Sequence, residues 1–303
     1  MKHFIKNISL YVVGYILVRA VSFILLPLFS NTLSESEYGT YTIIFIFIAF
    51  SQFLYSYGMD ASLMRFFVKY EGKLKRVYSS IFLSIMCTSI LLSGLIWMFS
   101  DKISVLLLNE NHGQLFKIAA YILFLDSFSF RILVIHRMEG NPLRYFILTL
   151  SNVIVTLTAN IYLVYTLKMG ITGALYATLF GSITTFAISL PYIVTRINFS
   201  QFSFSTLKEI LIFGLPFLPS IIFQMIIDYS DRIILLNLTD MDMVGIYSAG
   251  YKVGGLMLLL ISGFRLGWEP YFLKLENDEK KSEIISAVLN NVLLFLFAIL
   301  LFT

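Results

Sequence analysis

Nine long apolar stretches, each of roughly 20 residues or more, follow one another along the 303-residue chain with short polar connectors between them. They predict helices near 8–30, 41–64, 78–99, 116–136, 143–167, 171–194, 209–236, 244–266 and 284–303. A helix of that length matches the hydrocarbon core of a bilayer. The predicted class is therefore all-α, a polytopic transmembrane helix bundle of about nine spans, and function is expected inside that bundle.

Lysine and arginine turn this pattern into a topology. With the N-terminus inside, the inner segments hold fifteen of them, including the cluster Arg65, Lys69, Lys73, Lys75 and Arg76, while the outer connectors hold Lys102, Lys117 and Lys168. Cytoplasmic loops retain basic residues and exported loops do not, so a multi-pass protein of the inner (plasma) membrane with a cytoplasmic N-terminus is expected. Composition agrees: 58% hydrophobic and 13% charged residues, with a mean hydropathy of +0.84, lie far from the roughly 45–50% and 25% of soluble domains. The formal charge of +4 follows from that topology and gives no support for a nucleic-acid partner. The first apolar run is too long for a signal peptide and lacks a small-residue cleavage site, so it is expected to remain a span. Cys87, the one cysteine, falls in an apolar helix and offers neither a disulfide framework nor a thiolate metal site.

A weak internal repeat adds a second level of order. The segment from Asn31 through Gly39 to Tyr41 aligns with that from Asn237 through Gly245 to Tyr247, and Gly58-Met-Asp60 resembles Gly267-Trp-Glu269 when three residues are inserted. Six predicted spans separate the copies. An even number leaves both in the same orientation, which predicts a parallel repeat about an axis along the membrane normal. On this reading residues 1–200 form an N-terminal six-helix bundle, and residues 201–303 form a partial second bundle of about three helices whose last span reaches Thr303.

Motifs spread over the whole chain then carry a family resemblance. They are Arg19-Ala-Val-Ser-Phe-Ile-Leu-Leu-Pro-Leu-Phe leading to Glu37-Tyr-Gly39, the helix opening Gly170-Ile-Thr-Gly173-Ala-Leu-Tyr-Ala177, and Gly214-Leu-Pro216-Phe-Leu-Pro219 followed by Asp231-Arg232 and Val244-Gly245-Ile-Tyr247-Ser-Ala. Together they resemble the polysaccharide-exporting branch of the multidrug/oligosaccharidyl-lipid/polysaccharide flippase superfamily, which includes O-antigen and teichoic-acid-type flippases. The resemblance implies two six-helix bundles working by alternating access. Its implied cargo is a polyprenyl-pyrophosphate-linked oligosaccharide, such as an O-antigen or capsule repeat unit, moved from the cytoplasmic to the outer leaflet. Membrane lipids, a coupling H+ or Na+ and other polysaccharide-assembly proteins are the partners that go with it, and no cofactor is called for. An ion-coupled exporter of organic cations on the same architecture and a non-transporting membrane scaffold stand as alternatives.

Charges inside predicted spans mark the candidate site, because each costs about 2.5–3.5 kcal/mol near the bilayer centre and must pair or meet water. They are Arg19, Asp126, Arg131, Asp228, Asp231, Arg232 and Lys252. Ser220, Gln224, Asp228 and Asp231 share one side of the seventh predicted helix, Arg232 projects about 100° away, and Asp228 lies at a depth similar to that of Lys252 on the next helix. These residues read either as a static ion pair or as a carboxylate that exchanges its partner for a coupling ion. Arg19 and Arg131 carry guanidinium groups, which donate paired hydrogen bonds to phosphate oxygens; structural pairing is the alternative for each. Asn152, Thr156 and Asn160 make an i, i+4, i+8 stripe on the fifth helix, suited either to sugar hydroxyls or to polar packing between helices.

Other features read as structural. Gly173, Ala177 and Gly181 form a small-residue seam for close helix approach, and Pro27, Pro216 and Pro219 are expected to bend their helices. Glu35, Glu37, Asp240 and Asp242 read as solvated turn residues. Connectors of about eight to ten residues are too short to build a glycosyltransferase site, His3, His112 and His136 are dispersed, and no metal-ligand cluster, phosphate loop or nucleophile constellation is present. No enzymatic activity is expected.

Overall fold

The computed structural model describes residues 31–220 apart from Glu71 and Asn109, residues 281–302, and scattered positions within 13–29 and 222–275. Its helices are α1 (Glu35–Ser56), α2 (Met59–Lys69), α3 (Leu74–Met98), α4 (Ser100–Leu108), α5 (Gly113–Met138), α6 (Pro142–Asn160), α7 (Gly170–Arg196), α8 (Phe204–Gly214) and α9 (Lys281–Phe302), and no strand occurs among the described residues. Five segments are long and apolar enough to cross a membrane: Ile43–Lys69, Leu74–Met98, Gly113–Met138, Pro142–Thr166 and Gly170–Arg196. They coincide within a few residues with the predicted spans from 41–64 to 171–194, and α9 coincides with 284–303. The predicted helices 8–30, 209–236 and 244–266 fall largely outside the described residues.

Local chemistry accounts for the departures. The predicted connector from Asn31 to Thr40 is almost wholly helical, because Ser34 and Glu37 form a capping box at the start of α1: Glu37 N donates to Ser34 Oγ at 3.2 Å and Ser34 N to Glu37 Oε2 at 2.9 Å. Glu37 is thus a cap that satisfies free helix amides and not merely a solvated turn residue. The predicted 41–64 span is interrupted at Tyr57 (φ 30°) and Gly58 (φ 78°), two successive left-handed residues that end α1 and restart the chain as α2. Only glycine takes that region without steric cost. Tyr57 is held there by its buried ring and by a hydroxyl contact with Ser84 Oγ at 2.8 Å. In the predicted outer connector, Ser104 Oγ bridges the Glu110 carbonyl and the His112 amide, both at 2.6 Å, and closes the short helix α4 onto the start of α5. The fifth predicted span changes from α to π geometry over Ile161–Thr166.

α5 is the axis of the bundle. Of its apolar window 67% is buried, against 22–33% in the other four spans, so those four turn broad faces such as Leu91, Met98, Tyr165 and Val194 outward, as lipid contact requires. Phe128, Ile132 and Ile135 of α5 pack with Leu63 and Phe66 of α2, Tyr78 and Phe82 of α3, and Leu207 and Ile210 of α8. α8 therefore docks its buried face on the helices before residue 200.

The α6–α7 interface uses the predicted small-residue seam. Gly173, Ala177 and Gly181 are all buried. At Gly181 an added Cβ would overlap Thr156 Oγ1 and stand 3.0 Å from Asn152 Nδ2. Gly181→Ala is expected to cost about 1–3 kcal/mol through overpacking, and Thr156→Ala, which removes the colliding hydroxyl, should recover most of it. The check is a double-mutant cycle on thermal unfolding in detergent; additive losses would show that the two positions do not meet.

Candidate functional site

The helix break sets the site. Restarting the chain at Met59 places Asp60 in the first turn of α2, where the positive end of the helix dipole favours a carboxylate. Facing it from α5 is Arg131, 1% exposed and among the largest fully buried side chains of the described residues. Arg131 Nη2 donates to Asp60 Oδ2 at 3.3 Å, and Nη1 to the Ser127 carbonyl at 3.0 Å. Nε stands 3.1 Å from Asp60 Oδ1, an electrostatic contact without hydrogen-bond alignment. Ser56 Oγ adds a donor to Asp60 Oδ2 at 3.1 Å. Close by, Tyr57 shares its hydroxyl with Ser84 and with Thr88 at 3.3 Å. Helices α1, α2, α3 and α5 thus converge on one polar cluster inside an apolar bundle.

The two charges are unequally enclosed. The Arg131 side chain is 1% exposed and that of Asp60 39%. The cation is enclosed within the bundle, and the anion forms the accessible side of the pair. Sequence reasoning singled out Arg131 and passed over Asp60, although Asp60 lies inside the predicted 41–64 span, where a charge is expected to be costly. That cost was the signal that could have found it.

The remaining sequence candidates divide by location. Asn152 Nδ2 donates to Thr185 Oγ1 at 3.1 Å, Thr156 packs against Gly181, and Asn160 is 1% exposed with Nδ2 bonded to the Thr156 carbonyl at 2.8 Å. The stripe is therefore turned toward α7 and is not brought to Arg131. Asp126 lies beside the Ser182 hydroxyl of α7. Arg19, Gln224, Asp228, Asp231, Arg232 and Lys252 lie outside the described residues.

Two further clusters mark the basic end of the bundle, the one that carries Lys69 to Arg76. Arg196 Nη1 pairs with Glu139 Oε1 at 3.1 Å while its guanidinium covers the Tyr192 ring at 4.8 Å; Tyr192 donates its hydroxyl to Glu139 Oε2 and meets the His136 ring edge-on at 4.7 Å. His136, dispersed in the sequence, is a packed member of this group. Outside the five spans, Glu209 of α8 accepts from Lys69 Nζ at 2.8 Å and from the Tyr70 hydroxyl at 3.0 Å; these donors, Lys69 foremost, hold its carboxyl below the ordinary range. Both partners are exposed, so the pair orients α8 more than it stabilises it. Among the described residues no group of three or more His, Cys, Asp or Glu side chains is placed to hold a metal.

An all-α bundle with several membrane-crossing helices and a buried guanidinium paired to a carboxylate within it defines a multi-pass membrane protein. The chain belongs to the polysaccharide biosynthesis protein family, which it matches over residues 4–276. No curated protein is similar in sequence. Among solved structures the chain is similar to MATE in the straight conformation, with a TM-score of 0.70 and 17% identity over 90% of this chain and 64% of that one. It is also similar to the outward-facing conformation of a multidrug resistance MATE family transporter of the MOP superfamily, with a TM-score of 0.67 and 19% identity over 88% of this chain and 64% of that one. A third is a MOP superfamily transporter from Pyrococcus furiosus in which reverse polarity of the binding pocket suggests a different function; here the TM-score is 0.68 and the identity 18%, over 88% of this chain and 64% of that one. At these identities the likeness establishes the fold, and the chain spans 64% of the length of each of the three.

Proposed function

We propose that this chain carries out, alone or as part of a longer protein, export of a lipid-linked oligosaccharide across the plasma membrane. The anionic headgroup would enter from the basic, cytoplasmic end while the polyprenyl tail stays in lipid, and rocking of two parallel helical units would expose it outside. The described bundle serves as the first unit, within residues 1–200, and the segment 201–303 begins the second, giving about nine spans with the N-terminus in the cytoplasm. This is carrier work, with no bond made or broken in the cargo. A coupling H+ or Na+ and other polysaccharide-assembly proteins complete the expected partners.

The observation that carries the reading is the buried guanidinium of Arg131 covered by the partly exposed carboxylate of Asp60. In the empty carrier Asp60 neutralises a cation that is otherwise costly in the membrane. A pyrophosphate offers the same guanidinium paired oxygens and higher charge, so cargo replaces Asp60 and frees α2 to move relative to α5. Membership of the polysaccharide biosynthesis family supports a glycan cargo.

The test is restoration of surface polysaccharide in a strain lacking its own flippase. The wild-type chain is expected to restore it, and Arg131→Gln, compared at equal membrane abundance, to lower export by more than about tenfold, the loss of roughly 1.4 kcal/mol of cargo interaction. Failure of the wild-type chain to restore any polysaccharide would favour the scaffold alternative, and full activity of Arg131→Gln would remove Arg131 from the cargo path.

A further inference from the structure

A cavity of about 720 Å³ opens at the basic end, between the first turn of α3 and the segment leading into α8, and is lined by Lys73, Lys75, Arg76, Gln201, Phe202 and Ser203 among others. None of its lining residues belongs to the Asp60–Arg131 cluster. Its walls are fixed to one another: Asn198 N donates to Ser79 Oγ at 2.9 Å, Ser203 N donates to Ser80 Oγ at 3.3 Å, and the Arg76 guanidinium donates to Ser203 Oγ. Two neighbouring serines of α3 thereby hold the 198–203 backbone in place, and the cavity is a built feature of the fold.

Its chemistry has one sign. Lys73 and Lys75 are exposed and have no ion-pair partner among the described residues, and no acidic side chain is among the lining residues. Arg76 spends one donor on Ser203 and keeps others. The ring of Phe202, 41% exposed, lines the cavity with these cations, and Phe204, the first residue of α8 after the lining residue Ser203, is 73% exposed. The neighbouring spans stop at Lys69 and Arg196 and start at Leu74, so the cavity lies at the level where a bilayer changes from hydrocarbon to headgroups. Cations together with exposed aromatic rings at that level match an anionic headgroup above and acyl chains beneath.

We propose that this cavity binds the anionic, phosphate-bearing headgroup of a membrane lipid, with Lys73, Lys75 and Arg76 on the phosphate and Phe202 and Phe204 against the upper acyl chain. The inference stands apart from the transport reading, because the residues it uses are distinct from Asp60 and Arg131. Two lipids share this chemistry, a resident anionic phospholipid and the polyprenyl pyrophosphate of the cargo. The experiment separates them.

The purified chain is examined by native mass spectrometry after exposure to phosphatidylglycerol, polyprenyl pyrophosphate, phosphatidylcholine or inorganic pyrophosphate, as wild type, as Lys73→Ala/Lys75→Ala and as Lys73→Arg/Lys75→Arg. Each basic group near an anionic membrane surface contributes roughly fivefold in binding, so the alanine pair is expected to lower retention of the anionic lipid on the order of 25-fold, with the arginine pair restoring it. Stronger retention of polyprenyl pyrophosphate than of phosphatidylglycerol identifies a loading station for cargo, and the converse a resident-lipid site. Equal retention by wild type and the alanine pair, no preference for anionic lipid over phosphatidylcholine, or binding of inorganic pyrophosphate without either anionic lipid overturns the proposal. Lipid retention is read without transport, so its failure and the failure of the export reading are distinguishable.

Discussion

Gly58→Ala is expected to destabilise the protein by more than about 4 kcal/mol, enough to prevent accumulation of folded material. Two independent costs combine there. The residue sits at φ 78°, where an L side chain pays about 1–2 kcal/mol in backbone strain. The added Cβ would also overlap the carbonyl group of Gly214 and stand 2.8 Å from its Cα. These are backbone atoms, so relief demands that the whole of α8 withdraw from α2. Withdrawal would break the hydrogen bond from Ser62 Oγ to the Ile210 carbonyl at 2.9 Å and uncover Leu207 and Ile210. Gly72 separates the two costs, since its φ is 89° but nothing lies within 4 Å of its added Cβ; Gly72→Ala should cost only the strain, about 1–2 kcal/mol. Denaturation of the purified proteins in detergent ranks the pair. A Gly58→Ala protein as stable as Gly72→Ala would mean that α2 and α8 do not approach this closely in the membrane.

The same contact explains what the sequence could and could not reveal. The spans were legible because hydropathy records burial in lipid directly, and Leu74–Met98 or Gly113–Met138 need no partner to be recognised. The break at Tyr57–Gly58 was not legible, because two left-handed residues leave an apolar window as apolar as before. The α-to-π change at Ile161 was hidden for the same reason. Helix α4 escaped because nine residues containing Asp101 and Lys102 are too short and too polar to register as a span. Ser34-Glu-Ser-Glu37, by contrast, is a capping box written in the sequence; reading it as a loop gave weight to the acidic residues and too little to their spacing. At the site, the cost of a buried guanidinium pointed to Arg131, but its partner is set by tertiary packing across 71 positions of chain, which no local pattern encodes. The Asn152, Thr156 and Asn160 stripe shows the same limit: periodicity gave the shared face, and only the docking of α7 told what that face meets.

A cycle of Asp60→Asn, Arg131→Gln and the double substitution separates cargo recognition from architecture, because the two roles predict opposite rankings. Removing the carboxylate leaves an enclosed guanidinium without its counter-charge, since Arg131 is 1% exposed. Asp60→Asn is therefore expected to cost about 3–5 kcal/mol. Removing the guanidinium leaves a carboxylate that is 39% exposed, still bonded to Ser56 and able to draw on water, so Arg131→Gln should cost only about 1–2 kcal/mol. The double variant carries neither charge and should recover most of the stability lost by Asp60→Asn. If the pair serves stability alone, export per folded molecule is the same in all four proteins and falls only with abundance. If Arg131 meets the cargo phosphate, the variant with the smaller stability loss shows the larger export loss, and the re-stabilised double variant remains inactive. Export that tracks unfolding free energy across the cycle, or that returns with the double substitution, would reduce the pair to a structural clamp between α2 and α5.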